Sequence, residues 1–238
     1  MLHRYRHRPS RFVPAALLLL SAGLALPADS EAILQEFDRV QESVRTLSAS
    51  FTETTVNPLL VDPLVAEGDF YMTKPGSIRW EYVSPEEMRF VIAGDQYTGY
   101  FPGRKRAEKR NIARWSGRIF RFIGLGQSSA ELKKFYEIRL EENERQIDGT
   151  HLLVFEPRKR RVRKRVEEVR FWLSEETWLP IKVEYRGTNG YVRTIEFHEI
   201  QLNPDLAASL YTVDIPADVE ITDGFSGMPG LGADARGN

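Results

Sequence analysis

The apolar positions of this chain change period as the sequence is followed. They fall first at Ile33, Leu34, Phe37, Val40, Val44 and Leu47, three and four residues apart, with Gln, Glu, Asp and Arg between them. That spacing predicts an amphipathic helix from about Ala32, with its apolar stripe against a large surface. From Ser48 the period drops to two. Residues 48–56 alternate and are rich in Thr, and a loop holding Pro58 and Pro63 follows. Residues 68–73 and 78–82 then read as two strands joined by Lys74-Pro75-Gly76-Ser77, where Pro fixes φ and Gly permits a positive one. In the second strand Ile78, Trp80 and Tyr82 alternate with Arg79 and Glu81, so one face is a ladder of large apolar groups and the other is charged. Shorter strands at 88–92 and 97–101, set off by Ser84-Pro85-Glu86-Glu87 and Ala93-Gly94-Asp95-Gln96, extend an antiparallel meander.

Residues 107–126 break the alternation. Ile112, Trp115, Ile119, Phe120, Phe122, Ile123 and Leu125 are spaced more like a helix, and Gly117, Gly124 and Gly126 cut it into short pieces. Such a segment can serve as a lid or plug, and a crossover helix that packs the core is the plainer alternative. Ser128, with Glu131 three residues on, marks the start of a second short helix. Strands are expected again around 138–140, at 151–155 after the Asp148-Gly149 hairpin signal, and at 169–173, 181–185 and 191–200. A helical turn at 203–210 follows, and residues 211–213 are expected to close the sheet.

Ten or eleven short strands, few helices and no repeat period predict a mainly β fold. The expected architecture is a strongly curved antiparallel sheet, an unclosed β-barrel, with an N-terminal helix and the helical segment as its lid. A barrel of that size encloses a cavity unless a helix fills it, and the Trp80 ladder would line its concave face.

Residues 1–28 are a different material. Arg4, Arg6, Arg8 and Arg11 precede an apolar run and then small residues, the three-part pattern of a secretory signal peptide, too short for a comfortable membrane span. Cleavage is expected between residues 25 and 32, with an uncleaved anchor as the alternative. One folded domain is expected over 32–222 and a disordered tail over 223–238, where Gly, Ala, Asp and Ser leave little to bury. The chain has no cysteine, so neither a lipidated N-terminal Cys nor a disulfide is possible. An exported, unanchored chain of this kind reads as periplasmic or secreted. Without its first 28 residues the chain carries a net charge of −5, which does not favour nucleic-acid binding.

Catalytic chemistry finds little support. His151 and His198, the histidines beyond the signal segment, sit on strands without metal-ligand spacing, and Glu86-Glu87 occupies a turn. No Gly-rich phosphate loop or nucleophile elbow occurs, so neither cofactor nor metal is expected. A binding protein is the reading, with a lipid esterase as the enzymatic alternative. One charged feature stands out: Arg158, Lys159, Arg160, Arg161, Arg163, Lys164 and Arg165 place seven cations in eight residues. The run is either a solvated hairpin tip or an arm that docks on acidic lipid headgroups or an acidic partner.

Gly68-Asp69-Phe70, Lys74-Pro75-Gly76, Arg79-Trp80-Glu81-Tyr82, Pro85, Gly94 and Tyr100-Phe101-Pro102 resemble, in order and spacing, the LolA family of periplasmic carriers of outer-membrane lipoproteins. Ser48-Ala49-Ser50-Phe51-Thr52, Gln127-Ser128-Ser129 and residues 197–203 fit the same pattern, so the resemblance spans roughly 32–222. It implies a monomeric carrier whose concave face takes the acyl chains of lipoproteins from an inner-membrane lipoprotein-releasing ABC transporter and passes them to an outer-membrane acceptor. Carried over by position, it implies acyl contacts at Ile78, Trp80, Tyr82 and Phe90 on the strands and at Phe120 and Ile123 on the lid. Enterobacterial members have an Arg before the proline of the central turn that holds the lid shut. Here that residue is Lys74, which cannot make the planar fork of a guanidinium, so Lys74, Arg79 and Arg121 are all latch candidates. A carrier of another lipid and a periplasmic lipoprotein-sensing module on the same fold are the alternatives.

Overall fold

The computed structural model describes residues 28–114, 128–141 and 147–225. Helix α1 (Ala28–Ser43) starts four residues earlier than its pattern predicts and buries Ile33, Leu34, Phe37 and Val40. Twelve strands follow: β1 (Thr46–Val56), β2 (Leu64–Thr73), β3 (Ser77–Ser84), β4 (Met88–Ala93), β5 (Gln96–Phe101), β6 (Arg106–Asn111), β7 (Tyr136–Glu141), β8 (Thr150–Pro157), β9 (Val166–Ser174), β10 (Pro180–Gly187), β11 (Val192–Leu202) and β12 (Glu220–Asp223). Two short helices, α2 (Ser129–Lys133) and α3 (Arg160–Arg163), interrupt them. All twelve strands lie in one sheet, ordered β12-β6-β5-β4-β3-β2-β1-β11-β10-β9-β8-β7. Its edge strands, β12 and β7, do not pair with each other, so the curved sheet stays unclosed. The fold class is as expected, with twelve strands among the described residues in place of ten or eleven.

Alternation sets which side chains face inward. Along β1 intermediate and buried positions alternate over ten residues, and Leu47, Ala49 and Phe51 join the inner core. That core has two lobes bridged by α1. Val40 pairs with the aromatic side chains of β1 to β5, whereas Ile33, Leu34 and Phe37 meet Phe155, Phe171 and Leu173 of β8 and β9. In the central hairpin Phe70 lies opposite Trp80 and Met72 opposite Ile78. Gly68 makes that close pairing possible: a Cβ there would sit 1.9 Å from the Glu81 carbonyl oxygen, so any side chain would push β2 and β3 apart.

The two halves of the sheet meet only where β1 pairs with β11, Leu47 opposite Leu202. Asn203 fastens this seam. Its φ of 54° lies in the left-handed region that Asn tolerates better than most residues, and its side-chain oxygen accepts from Arg45 N–H at 2.7 Å and Thr46 N–H at 3.3 Å. Its own N–H donates to the Thr46 carbonyl at 2.9 Å.

Three expectations are corrected. Residues 107–111, read as the start of a helix-like segment, belong to β6, because pairing Tyr100 with Ala107 and Gly99 with Glu108 satisfies a backbone that side-chain spacing alone does not describe. Residues 211–213 do not close the sheet. Ala208–Tyr211 is a single 3-10 turn on the outer face, held by Arg79 Nη1 donating to the Leu210 carbonyl at 3.0 Å and by a 2.7 Å bond between the Tyr211 and Thr73 hydroxyls. The chain then crosses that face, with Val213, Ile215 and Val219 against Tyr100 and Ala107, and β12 adds to β6 in parallel. Finally, the ordered domain passes residue 222: Asp223 ends β12, and the ring of Phe225 is buried 4.5 Å from that of Tyr97. The rest of the expected tail, and the signal segment up to residue 27, lie outside the described residues.

Phe225 therefore anchors the C-terminal crossing from inside the core. Phe225→Ala is expected to lower stability by about 3 kcal/mol, the usual loss for emptying an aromatic site, read as a shift in the urea midpoint at constant slope. A loss under about 1 kcal/mol would show that the segment after β12 adds little.

Candidate functional site

The inner face of β3 and β4 brings together the four strand residues singled out from the sequence. Ile78, Trp80, Tyr82 and Phe90 all point inward and are buried, Trp80 with only 2% of its surface exposed. Phe70 from β2 and Phe90 from β4 lie opposite Trp80 in register. The Trp80 ring is 4.7 Å from Phe70, 5.3 Å from Phe51 and 6.2 Å from Phe197. Edge-on contacts continue the network through Phe51 to Tyr82 at 5.1 Å, Tyr82 to Phe90 at 5.9 Å and Phe90 to Phe101 at 5.6 Å. Such pairs stabilise by about 0.5–1.5 kcal/mol each beyond the area they bury. The result is a continuous aromatic layer lining the inner face of these strands. Phe120 and Ile123, the two lid contacts implied by the resemblance, lie outside the described residues.

Two polar features interrupt this lining. The Trp80 indole Nε1–H is buried and meets no acceptor among the described residues, where nearly all buried donors are paired. Near the far end of the ladder the Tyr82 hydroxyl donates to Glu53 Oε2 at 2.7 Å, while Arg193 lies 3.1 Å from Glu53 Oε1. Burial, and then the Glu53 charge and hydrogen bond, push the Tyr82 phenol well above its ordinary range, so it stays a proton donor. Sequence reasoning missed this triad. Its signal was present, since Glu53 occupies an inward position of an alternating strand that otherwise holds Phe51 and Thr55.

The latch candidates separate. Lys74 Nζ donates to the Gln41 carbonyl in the last turn of α1, and Lys74 N–H to the Arg45 carbonyl at 2.8 Å. Partial burial lowers its ammonium pKa. Lys74 thus ties the central turn to α1. Arg79 points away from Trp80, to the outer face. There Glu81 Oε2 accepts from its Nε and Nη2 at 2.8 and 2.6 Å, and the Leu210 carbonyl takes Nη1. Arg79 faces outward because a strand residue adjacent to an inward Trp must do so, and residues 115–127 of the lid it was considered to latch lie outside the described residues. Arg121 lies outside the described residues.

All seven cations of the basic run are exposed, on the β8–β9 connection that carries α3. Arg158 Nε donates to the carbonyls of Lys133 and Tyr136, each at 3.0 Å, and Lys159 Nζ stands 5.7 Å over the Phe135 ring. The two histidines have ordinary neighbours: His151 stacks on Trp178 at 5.3 Å, and His198 Nε2 lies 3.3 Å from the Thr52 hydroxyl.

Residues 42–214 match the family model described as outer membrane lipoprotein carrier protein LolA. An outer-membrane lipoprotein carrier protein of Chromohalobacter salexigens is 24% identical over 207 residues, 86% of this chain and 94% of that protein. Among solved structures, an uncharacterised conserved protein from Thermus thermophilus superposes with a TM-score of 0.53 at 13% identity, covering 82% of this chain and 99% of that one. The MucA/MucB complex of Pseudomonas aeruginosa gives a TM-score of 0.51 at 14% identity, covering 82% of this chain and 64% of that one. At these identities the structural likeness speaks for the fold.

Beneath the aromatic wall, Glu81 is gripped from two sides, since Arg89 Nε also donates to its Oε1 at 2.6 Å. Burial alone would raise its carboxyl, but the hydrogen bonds from Arg89 and Arg79 bring it below its ordinary value of 4.5. A carboxylate depressed in the folded state stabilises above its unfolded pKa, and the benefit fades as pH falls through the folded value. Glu81→Gln is therefore expected to lower the urea midpoint at pH 7 and to approach wild type as the pH drops below about 4. Equal losses at both pH values would show that the carboxylate charge is not what matters.

Proposed function

This chain belongs to the LolA family of outer membrane lipoprotein carrier proteins, and we propose that it carries acylated lipoproteins across the periplasm with their acyl chains held against the Trp80 wall. Family members are periplasmic carriers, not enzymes. On this reading the cargo comes from an inner-membrane lipoprotein-releasing ABC transporter and passes to an outer-membrane acceptor. The protein works as a monomer, and no cofactor takes part.

The observation that carries the reading is the indole N–H of Trp80, unmatched among the described residues, inside an aromatic lining. A buried donor without a partner costs about 1–3 kcal/mol, so an acceptor brought in by a guest would recover that loss. Acyl chains alone offer no acceptor, but the ester and amide carbonyls that attach them do. Each methylene buried adds about 0.8 kcal/mol, so gripping every methylene of a multiply acylated cargo would make release impossibly slow. A wall that takes part of each chain and one carbonyl combines recognition with exchange. The Glu53–Tyr82–Arg193 triad marks where the lining turns polar and suits the polar linkage of the cargo better than its tails.

Native mass spectrometry of the protein purified from its own cells is expected to show acylated lipoprotein bound to it. Trp80→Phe keeps the aromatic fill while removing the donor. It is expected to weaken binding of an ester-linked acylated peptide by about five- to tenfold, the loss of one buried hydrogen bond, and to leave binding of the ether-linked analogue nearly unchanged. Equal effects on both analogues would remove the carbonyl contact. A protein that holds no acylated cargo, and takes up none when offered, would overturn the carrier reading.

A further inference from the structure

One end of the sheet collects features that cargo binding does not use. Antiparallel neighbours place the β1–β2, β8–β9 and β10–β11 connections at this end. The β1–β2 loop is apolar and turned to water: Leu59 is 91% exposed and Val61 98%, and Val56, Leu60, Leu64 and Val65 are exposed beside them. Six of the ten large apolar side chains that stand exposed among the described residues are in this loop or on the strand ends flanking it. The loop has a fixed shape. Asn57 accepts the Leu59 N–H on its side chain at 3.0 Å and the Leu60 N–H on its carbonyl at 2.9 Å, so the leucines are presented on a turn.

The loop adjoins the basic run through the β10–β11 turn. Pro58 packs on Gly190, where an added Cβ would come within 2.9 Å of its ring. On the other side of that turn, the Thr188 N–H donates to the Arg165 carbonyl at 3.1 Å and its hydroxyl to the Lys164 carbonyl at 3.0 Å. A projecting apolar tip and an exposed cluster of seven cations therefore share one end of a molecule that is acidic over residues 29–238.

We infer that this end docks on an anionic lipid bilayer, with Leu59, Leu60 and Val61 entering the boundary between headgroups and acyl chains and the β8–β9 cations resting on the headgroup phosphates. A narrow convex tip offers a folded protein partner little area to match, whereas a fluid bilayer closes around it. Clustered Lys and Arg are attracted to an anionic membrane surface within a Debye length. Apolar insertion and cationic attraction are individually weak and together hold a protein reversibly. The inference is independent of the cargo reading, because the empty protein suffices to test it.

The test is co-sedimentation of the purified protein with vesicles of phosphatidylglycerol mixed with phosphatidylcholine, and of phosphatidylcholine alone. Wild type, Leu59→Ser/Val61→Ser and Arg160→Ser/Arg163→Ser/Lys164→Ser are compared, all sharing the same N-terminal segment. All the changed side chains are exposed, and circular dichroism with a thermal melt confirms folding. Wild type is expected to prefer the anionic vesicles by at least about tenfold at low salt, and the charge variant to lose that preference. The loop variant is expected to bind at least about tenfold more weakly than wild type while keeping some preference for anionic lipid. Wild type that stays in the supernatant, or a loop variant that sediments like wild type, overturns the inference. So does binding to an acidic protein without binding to vesicles. Loss of acylated-peptide binding in either variant would assign these residues to the cargo site and overturn it as well.

Discussion

A curved sheet that stops short of closing leaves an apolar inner face with no second sheet to cover it and two edges with unpaired backbone groups. Both are costly in water. This chain covers the inner face partly with α1, which touches both lobes of the core. It treats one edge with β12, whose parallel pairing to β6 is secured by Phe225 inside the core. The aromatic wall can remain a wall because other parts of the chain settle the demands of an open barrel.

The period of two lets a single strand serve both faces. On β3, Trp80 looks into the barrel while its neighbours Arg79 and Glu81 look out, where they bind each other, Arg89 and the carbonyl of Leu210. The outer charges hold the C-terminal crossing, and that crossing leads to β12 and Phe225. A change on the charged face of β3 thus reaches the far edge of the sheet without touching the lining. Within the lining the same economy appears in Tyr82, which supplies an aromatic edge to Phe51 and a hydrogen bond to Glu53.

Much of this was legible in the residues. The Ile78-Trp80-Tyr82 ladder, the Lys74-Pro75-Gly76 turn and the stripe of α1 follow from spacing, and spacing survives folding when one face is buried and the other wet. Ser128 caps α2 as its sequence suggests, its hydroxyl accepting the Glu131 N–H. What spacing could not show depends on distant partners. The strand at Arg106–Asn111 exists because β5 and β12 flank it, and Phe225 is buried because Tyr97 waits more than a hundred residues upstream. Lys74 was read against a lid, yet its ammonium finds α1, a neighbour that no local pattern reveals. The β1–β2 loop read as a loop from its prolines, but sequence cannot tell an apolar loop that folds inward from one that stands out.

The seam between β1 and β11 has a consequence for how the molecule comes into being. Residues 46–56 are made early, but their partner on one side is residues 192–202, and the clasp at Asn203 follows. For a chain delivered N-terminus first, from a ribosome or through a translocation channel, the first half of the sheet must wait with one flank of β1 unsatisfied until nearly the whole chain has emerged. Closing so long a loop is entropically unfavourable and slow. The topology therefore works as a timer. The barrel takes its final shape only once residues 192–203 are available.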